Sequence, residues 1–288
     1  MSVHDPGVGP TAAPGYAFLD AGDGRRLERF GEREVDRTAP GAIDPRQRPT
    51  AWGAADLRFD RSRGWSGRSD AAAAWQLRLE GLTLELRATD SGGVGLYPEH
   101  LANAAWLERA IGLRGSEGGE APRVLNLFAH TGLLTLVAAR AGATVTHVDA
   151  ARGAVAWARR NAELSGLADR PIRWIVDDAL EFVRREGRRG RRFDGILLDP
   201  PSYGHGGSHP WRIETDLPEL LEACNAVAAV DPFLLLTAHT TGLAADQLEG
   251  AVREAFPPLA KRVGIAALEL RAESGATLRL GTAIRAPR

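Results

Sequence analysis

RVLNLFAHTGLLTLVAARAG, residues Arg123 to Gly142, joins an apolar run to a segment of helical spacing through a short polar turn. Val124 to Ala129 read as a buried strand, and the segment from Gly132 to Gly142 as a helix closed by its terminal glycine. The same couplet recurs downstream. Strand-like runs stand at Thr144 to Val148, Ile172 to Val176, Gly195 to Leu198 and Phe233 to Thr237, with the helical segments ARGAVAWARRNAELSG and LPELLEACNAVAA among them. Repeated β-then-α predicts a parallel sheet with right-handed crossovers and helices on both faces. IAALELRA and TLRLGTAIR then close the chain as an antiparallel hairpin. The expected class is therefore α/β, a doubly wound, mostly parallel, seven-stranded sheet.

Upstream the rhythm is different. YAFLDAGDGRRLERF reads as two short strands around a Gly-Asp-Gly turn, and WQLRLEGLTLELRAT as two more around Glu80-Gly81. In the second pair Leu77 and Leu79, then Leu82, Leu84 and Leu86, alternate with polar residues, the period of a half-buried sheet. An Arg/Gly/Ser-rich loop from Arg61 to Ser69 is expected to interrupt this region. The predicted division is a flexible tail over residues 1–15, a small β-rich N-terminal subdomain over 16–90 and the main domain over 91–288.

A chain of 288 residues with 44% hydrophobic and 25% charged content can bury a large core. Its net charge of −1 does not mark a nucleic-acid binder as a whole, although a balanced total can hide a basic patch. The single cysteine, Cys224, excludes an intramolecular disulfide and any multi-cysteine zinc site. The start MSVHDPGVGPTAAPGY lacks the basic and apolar parts of a secretory signal, and no run reaches the roughly 20 apolar residues of a membrane helix. The expectation is a cytoplasmic protein without membrane contact.

In an open α/β sheet, ligands bind beyond the carboxyl ends of the strands. Those ends here read Phe128-Ala129-His130-Thr131-Gly132, then Asp149-Ala150, Asp177-Asp178 and Asp199-Pro200-Pro201. The first turn opens a helix and so presents free backbone N–H groups, but with Gly132 alone it lacks the glycines that bring backbone against a pyrophosphate. A cofactor with an adenosine and no phosphate tolerates it. Asp149 suits the hydroxyls of a ribose and equally a helix N-cap; Asp178, beside the amide of Ala179, suits an adenine edge and equally a cap. Asp177 should face the other way. In ILLDPPSYGHGG, Ile196 to Gly207, the Asp199 carboxylate and a stiff Pro200 carbonyl make a pair of acceptors for an N–H group, and Tyr203 can stack on a flat ring.

Taken in order, RVLNLFAHTG, VTHVDAARGAVAWARRNAELSGL, IVDDALEFV and FDGILLDPPSY resemble the motifs of a class I S-adenosylmethionine-dependent methyltransferase, Rossmann-like in fold, and within that class the ribosomal-RNA large-subunit methyltransferase-like family. The resemblance covers roughly residues 94 to 240. It implies S-adenosyl-L-methionine as cofactor, with contacts from Phe128, Ala129, His130, Thr131, Gly132, Asp149, Ala150, Asp178, Ala179, Asp199 and Pro200. The segment GLYPEHLANAAWL adds Tyr97, Glu99 and His100. The family's RNA-binding appendage is not recognisable here.

Members that methylate cytosine C5 attack the ring with a cysteine just after the fifth strand, because an aromatic carbon must first be activated by covalent addition. Here LLLTAHTTG places Thr240 at that point, while Cys224 falls on the apolar helix face Leu217, Leu220, Leu221, Cys224, Val227. Transfer to nitrogen asks only that the nucleophile be aligned and its proton accommodated, for which Asp199, Pro200 and Tyr203 are the expected catalytic residues. Ser202 displaces the aromatic by one place from the DPP-aromatic pattern of amino-methyltransferases. His205 and His209 have metal-like spacing but no third ligand in sequence, so no metal is expected. The arginine run from Arg184 to Arg192 reads as a solvated helix end or an RNA contact, and Arg61, Arg63, Arg68 and Trp65 form a weaker candidate. The expected function is methylation of a nitrogen of ribosomal RNA. The alternatives are the same cofactor with a protein or small-molecule substrate, and a non-catalytic cofactor- or RNA-binding module.

Overall fold

The fold follows from which faces of the strands are apolar. A computed structural model describes residues 12–13, 15–68, 73–206, 209–240 and 242–287. Most of the expected N-terminal tail lies outside the described residues. The N-terminal sheet has the order β1 (Ala12–Ala13), β2 (Tyr16–Gly22), β3 (Arg25–Phe30), β4 (Arg33–Thr38), β5 (Leu57–Asp60) and β6 (Gly64–Gly67). A separate hairpin pairs β7 (Trp75–Leu79) with β8 (Leu82–Leu86).

The stretch expected as a loop from Arg61 is instead a tight turn into the edge strand β6. Asp60 Oδ1 accepts from the Ser62 backbone N–H at 2.9 Å and closes that turn, and Phe59 then sits opposite Trp65 with ring centroids 5.1 Å apart. The aromatic pair outweighs the loop-forming composition around it.

The main sheet is built from β9 (Arg123–Leu127), β10 (Thr144–Asp149), β11 (Ile172–Val176), β12 (Phe193–Leu198), β15 (Ala228–Ala238), β16 (Gly264–Arg271) and β17 (Thr277–Ala286). Its order is β11-β10-β9-β12-β15-β17-β16, parallel except where β17 pairs antiparallel with β15 and β16. Two short strands, β13 (Tyr203–Gly206) and β14 (His209–Arg212), form a hairpin beyond β12. This replaces the glycine loop expected there; the side chains of His205 and His209 lie outside the described residues.

Alternation along the strands sends successive residues into two layers. Val124, Leu197, Phe233 and Leu235 enter one core with α1 (Leu101–Gly118), α2 (Leu133–Arg140) and the N-terminal strands. Leu125, Leu127, Ile196, Leu198, Leu234 and Leu236 enter the other, against α4 (Ala179–Arg188), α5 (Ile213–Ala226) and α6 (Ala245–Ala255). The β7–β8 hairpin docks on α3 (Arg152–Leu164): Asn161 Oδ1 accepts from the Glu85 N–H at 2.8 Å, and Trp157 Nε1 donates to the Glu85 carbonyl at 2.9 Å. These bonds, with a first core shared by both sheets, hold the N-terminal strands against the main domain. Cys224 is fully buried in the second core, and burial pushes its thiol far above the usual range.

Candidate functional site

Strand direction decides what meets at the sheet edge. Because β9, β10, β11, β12 and β15 run parallel, their carboxyl ends bring Phe128, Asp149, Asp177, Asp199 and His239 to one side of the sheet, and the strand order reverses direction between β9 and β12. A cleft of about 520 Å³ opens there, lined among others by Tyr97, His130, Asp178, Ala179, Pro200 and Trp211.

The turn after β9 is held in a sparsely populated backbone. Phe128 and His130 adopt positive φ of 55° and 47°, and Gly132 follows at 90°. For non-glycine residues this conformation costs about 1–3 kcal/mol each, and two features over-determine it. The His130 N–H donates to Asp149 Oδ2 at 2.8 Å, and Thr131 Oγ1 donates to the Gly95 carbonyl at 2.6 Å. Gly95, at φ 86°, lies so close to the Trp157 ring that a Cβ would stand 2.3 Å from it. Burial lowers the pKa of His130, whose ring centroid lies 5.3 Å from that of Tyr97.

Asp149 ties the first two strand ends together. Its Oδ2 takes the His130 amide and its Oδ1 takes the Ala151 amide at 2.8 Å, so each oxygen carries one backbone donor and keeps acceptor capacity for a hydroxyl. Asp178 is the N-cap of α4: Oδ1 accepts from the Glu181 N–H at 3.0 Å. As the first residue of α4, Ala179 has a backbone N–H without an intrahelical acceptor. Asp177 reaches the cleft lining as well, with Oδ2 on Arg185.

Asp199 is the most engaged of the acids. Thr237 Oγ1 donates to Oδ1 at 2.5 Å, His239 Nε2 stands 3.3 Å from the same oxygen, and His100 Nε2 stands 3.2 Å from Oδ2. Burial works against its charge, but the two histidines outweigh it and hold the carboxyl well below the usual carboxylate range. Burial likewise opposes charge on His239. The Asp199 hydrogen bond and charge, Glu99 and the Leu280 carbonyl prevail and raise its pKa to about 9. Glu99 is 3% exposed.

The expected residues do not all converge. Tyr203 is 66% exposed and is not among the cleft-lining residues. The aromatic beside Asp199-Pro200-Pro201 is Trp211 of β14, whose Nε1 donates to the Pro201 carbonyl at 2.7 Å and whose ring stands 5.5 Å from that of Phe128. Ser202 turns away to pair with Thr240, hydroxyl to hydroxyl at 2.7 Å. Ala129, Thr131, Gly132 and His100 line a smaller recess beside the cleft, together with Tyr97 and Asp199. Trp211 and His239 carry no motif and were not singled out by sequence reasoning. His239 could have been found as the polar residue directly after the fifth strand, where Asp149 and Asp199 stand on theirs.

The donor set tests which cofactor belongs here. Asp149, Asp177, Asp178 and Asp199 all line the cleft, and no lysine or arginine is among the described residues that line it. A pyrophosphate would meet four carboxylates, and the His239 cation is already paired with Asp199. Hydroxyls, an amine and a cationic sulfur fit, as does an adenine between apolar walls.

Comparison with known proteins agrees with that set. Residues 106–213 match the family model described as Conserved hypothetical protein 95. A protein named ribosomal RNA large subunit methyltransferase K, from Neisseria meningitidis, is 32% identical over 129 residues, covering 44% of this chain and 36% of its own. One named ribosomal RNA large subunit methyltransferase I, from Aeromonas salmonicida, is 40% identical over 84 residues, 29% of this chain and 21% of its own. The chain thus spans little more than a third, at most, of the curated relatives it matches. The crystal structure of a SAM-dependent methyltransferase from Agrobacterium tumefaciens is 32% identical, with TM-score 0.88 over 98% of this chain and 93% of that one. Likeness along nearly the whole of both chains, with the seven-stranded order and the acid-lined cleft, shows that this chain belongs to the S-adenosylmethionine-dependent methyltransferases.

Proposed function

We propose that this protein transfers a methyl group from S-adenosyl-L-methionine to a nitrogen of ribosomal RNA, in the cytoplasm. When bound, the cofactor supplies a methyl on a positively charged sulfur. Asp149 is the candidate for the ribose hydroxyls, Asp178 and the Ala179 amide for the adenine edge, and Tyr97 with the turn from Phe128 to Gly132 for the remainder. The observation that carries the reading is the aromatic wall formed by Trp211 and Phe128, centroids 5.5 Å apart, with Trp211 bonded to the Pro201 carbonyl beside Asp199. Such a wall suits a flat ring stacked on its outer face beside a rigid carbonyl. The relatives named for ribosomal RNA support the substrate class, and the buried thiol of Cys224 supports nitrogen over a carbon that needs covalent attack.

In this reading the N-terminal sheet is a small subdomain that shares its core with the main sheet. Chain residues, not a metal, position the acceptor.

A second reading, with the same cofactor and a protein or small-molecule acceptor, draws on one observation. Much of the arginine run is neutralised within the protein, Arg184 by Glu181 and Glu219, Arg185 by Asp177 and Arg189 by Glu186. Nucleoside mass analysis of unmodified ribosomal RNA after incubation with protein and labelled cofactor separates the two. A methylated nitrogen in one nucleoside supports RNA; label confined to a protein or metabolite fraction supports the second; methyl on cytosine C5 overturns the nitrogen assignment.

A further inference from the structure

Three ligating side chains meet at the floor of the cleft. The ligand atoms of His100, Asp199 and His239 all lie within 4.8 Å of one another, and two histidines with one carboxylate are a familiar metal-binding composition. Whether they hold a metal or protons depends on which ring nitrogens carry hydrogen, and the surrounding hydrogen bonds settle that.

His239 is simple. Its Nδ1 stands 2.9 Å from the Leu280 carbonyl of β17, which only accepts, so Nδ1 carries a proton and Nε2 faces Asp199. With a carboxylate oxygen 3.3 Å away, a bare lone pair at Nε2 would be repelled; a second proton there makes an ion pair.

His100 is decided from further off. Arg285 of β17 directs Nε and Nη2 at Asn103 Oδ1, at 3.1 and 2.7 Å, while Nη2 also reaches the Ala102 carbonyl at 3.0 Å. A guanidinium has only donors, so the Asn103 amide is fixed with its oxygen toward Arg285 and its NH2 toward His100. Asn103 Nδ2 stands 3.3 Å from His100 Nδ1, and Asn103 has no exposed surface. Nδ1 must therefore accept, and the proton of His100 lies on Nε2, toward Asp199. A metal-binding histidine needs the reverse, with the lone pair inward and the N–H directed at an outer acceptor.

We infer that His100, Asp199 and His239 form a proton-locked triad rather than a metal centre, an Asp199–His239 ion pair to which neutral His100 donates, with Asn103 and Arg285 as positioning residues that fix the His100 tautomer. Asp199 Oδ1 then carries Thr237 and His239 while Oδ2 carries His100 alone, so Oδ2 and the Pro200 carbonyl are the acceptors left for a substrate N–H. The other groups facing the two histidines are Tyr97 and Glu99, from the segment before α1, and His130, from the turn after β9, in contact through Tyr97. The catalytic consequence rests on the methyltransferase reading; the protonation pattern does not.

Nitrogen NMR of the full-length chain with labelled histidine tests the pattern without substrate, with signals assigned from His100→Gln and His239→Gln. At pH 7 His100 should show the Nε2–H tautomer with an accepting Nδ1, and His239 should be doubly protonated. Asn103→Asp, which keeps a partner for Arg285 but turns a donor into an acceptor, should protonate His100 on both nitrogens and lower kcat about tenfold, with cofactor affinity changed less than twofold; Asn103→Leu should lower kcat without that second protonation. A wild-type His100 with its proton on Nδ1 would overturn the inference. So would saturation of the His100 and His239 signals by one equivalent of zinc or ferrous ion. If Asn103→Asp fails to fold, the wild-type spectrum and the metal titration alone decide.

Discussion

Asp199 and His239 stand 3.3 Å apart at the carboxyl ends of neighbouring strands, β12 and β15, each holding the other in its charged form. The folded pKa of His239, about 9, lies above its unfolded value, so its contribution to stability is complete below about pH 6.5 and is lost as pH rises toward 9. With the side chain 31% exposed, solvent screening limits the effect to about 1 kcal/mol. Urea unfolding of the wild type should show that loss between pH 6.5 and 9, and His239→Gln should abolish it. An unchanged alkaline slope in the variant would show that the pair is not formed.

His147 predicts the opposite limb. It has no exposed surface, it hydrogen-bonds through Nδ1 to Thr135 Oγ1 at 2.9 Å, and its buried Nε2 has no partner. Burial first, then the charges of His130 and Arg159, lower its pKa to about 3. The unfolded chain therefore takes up a proton that the folded chain refuses. Stability should fall by a few kcal/mol as pH drops from 6.5 toward 3. His147→Gln should flatten this acid limb in circular-dichroism unfolding curves, whatever its effect at pH 7.

Asp149→Ala removes the acceptor of two backbone amides as well as the proposed ribose contact. Cofactor affinity measured by calorimetry should fall about 10- to 100-fold, the scale of one to two charge-assisted hydrogen bonds. Wild-type affinity in this variant would move the ribose elsewhere.

Cys224→Ser places a hydroxyl in a site built from Leu217, Leu220 and Leu221. It should cost about 1–3 kcal/mol of stability and leave methyl transfer within about twofold. Loss of turnover in a variant that is still folded would reopen covalent catalysis.

The main sheet was legible because each β–α couplet is local: Leu125, Leu127, Ile196 and Leu198 announce buried strands within a few residues. The strand-end acids were legible for the same reason. Trp211 was not, because its position depends on the β13–β14 pairing that sets it opposite Gly204, in a stretch whose glycines read as a loop. The pairing of Asn103 with Arg285 crosses 182 positions, and the two meet only once the last strand returns beside α1. Asp178 shows the limit of residue type alone: capping and ligand binding ask for the same carboxylate, and the structure shows the cap while leaving it in the cleft wall.

The most direct test of the account is transfer of labelled methyl from S-adenosyl-L-methionine to unmodified ribosomal RNA by the wild type and by Asp199→Ala, with cofactor binding measured on both. The wild type should transfer methyl, and the variant should lose at least about 10²-fold of that activity while it still binds cofactor. Full transfer by Asp199→Ala, or no binding of the cofactor by the wild type, would contradict the account.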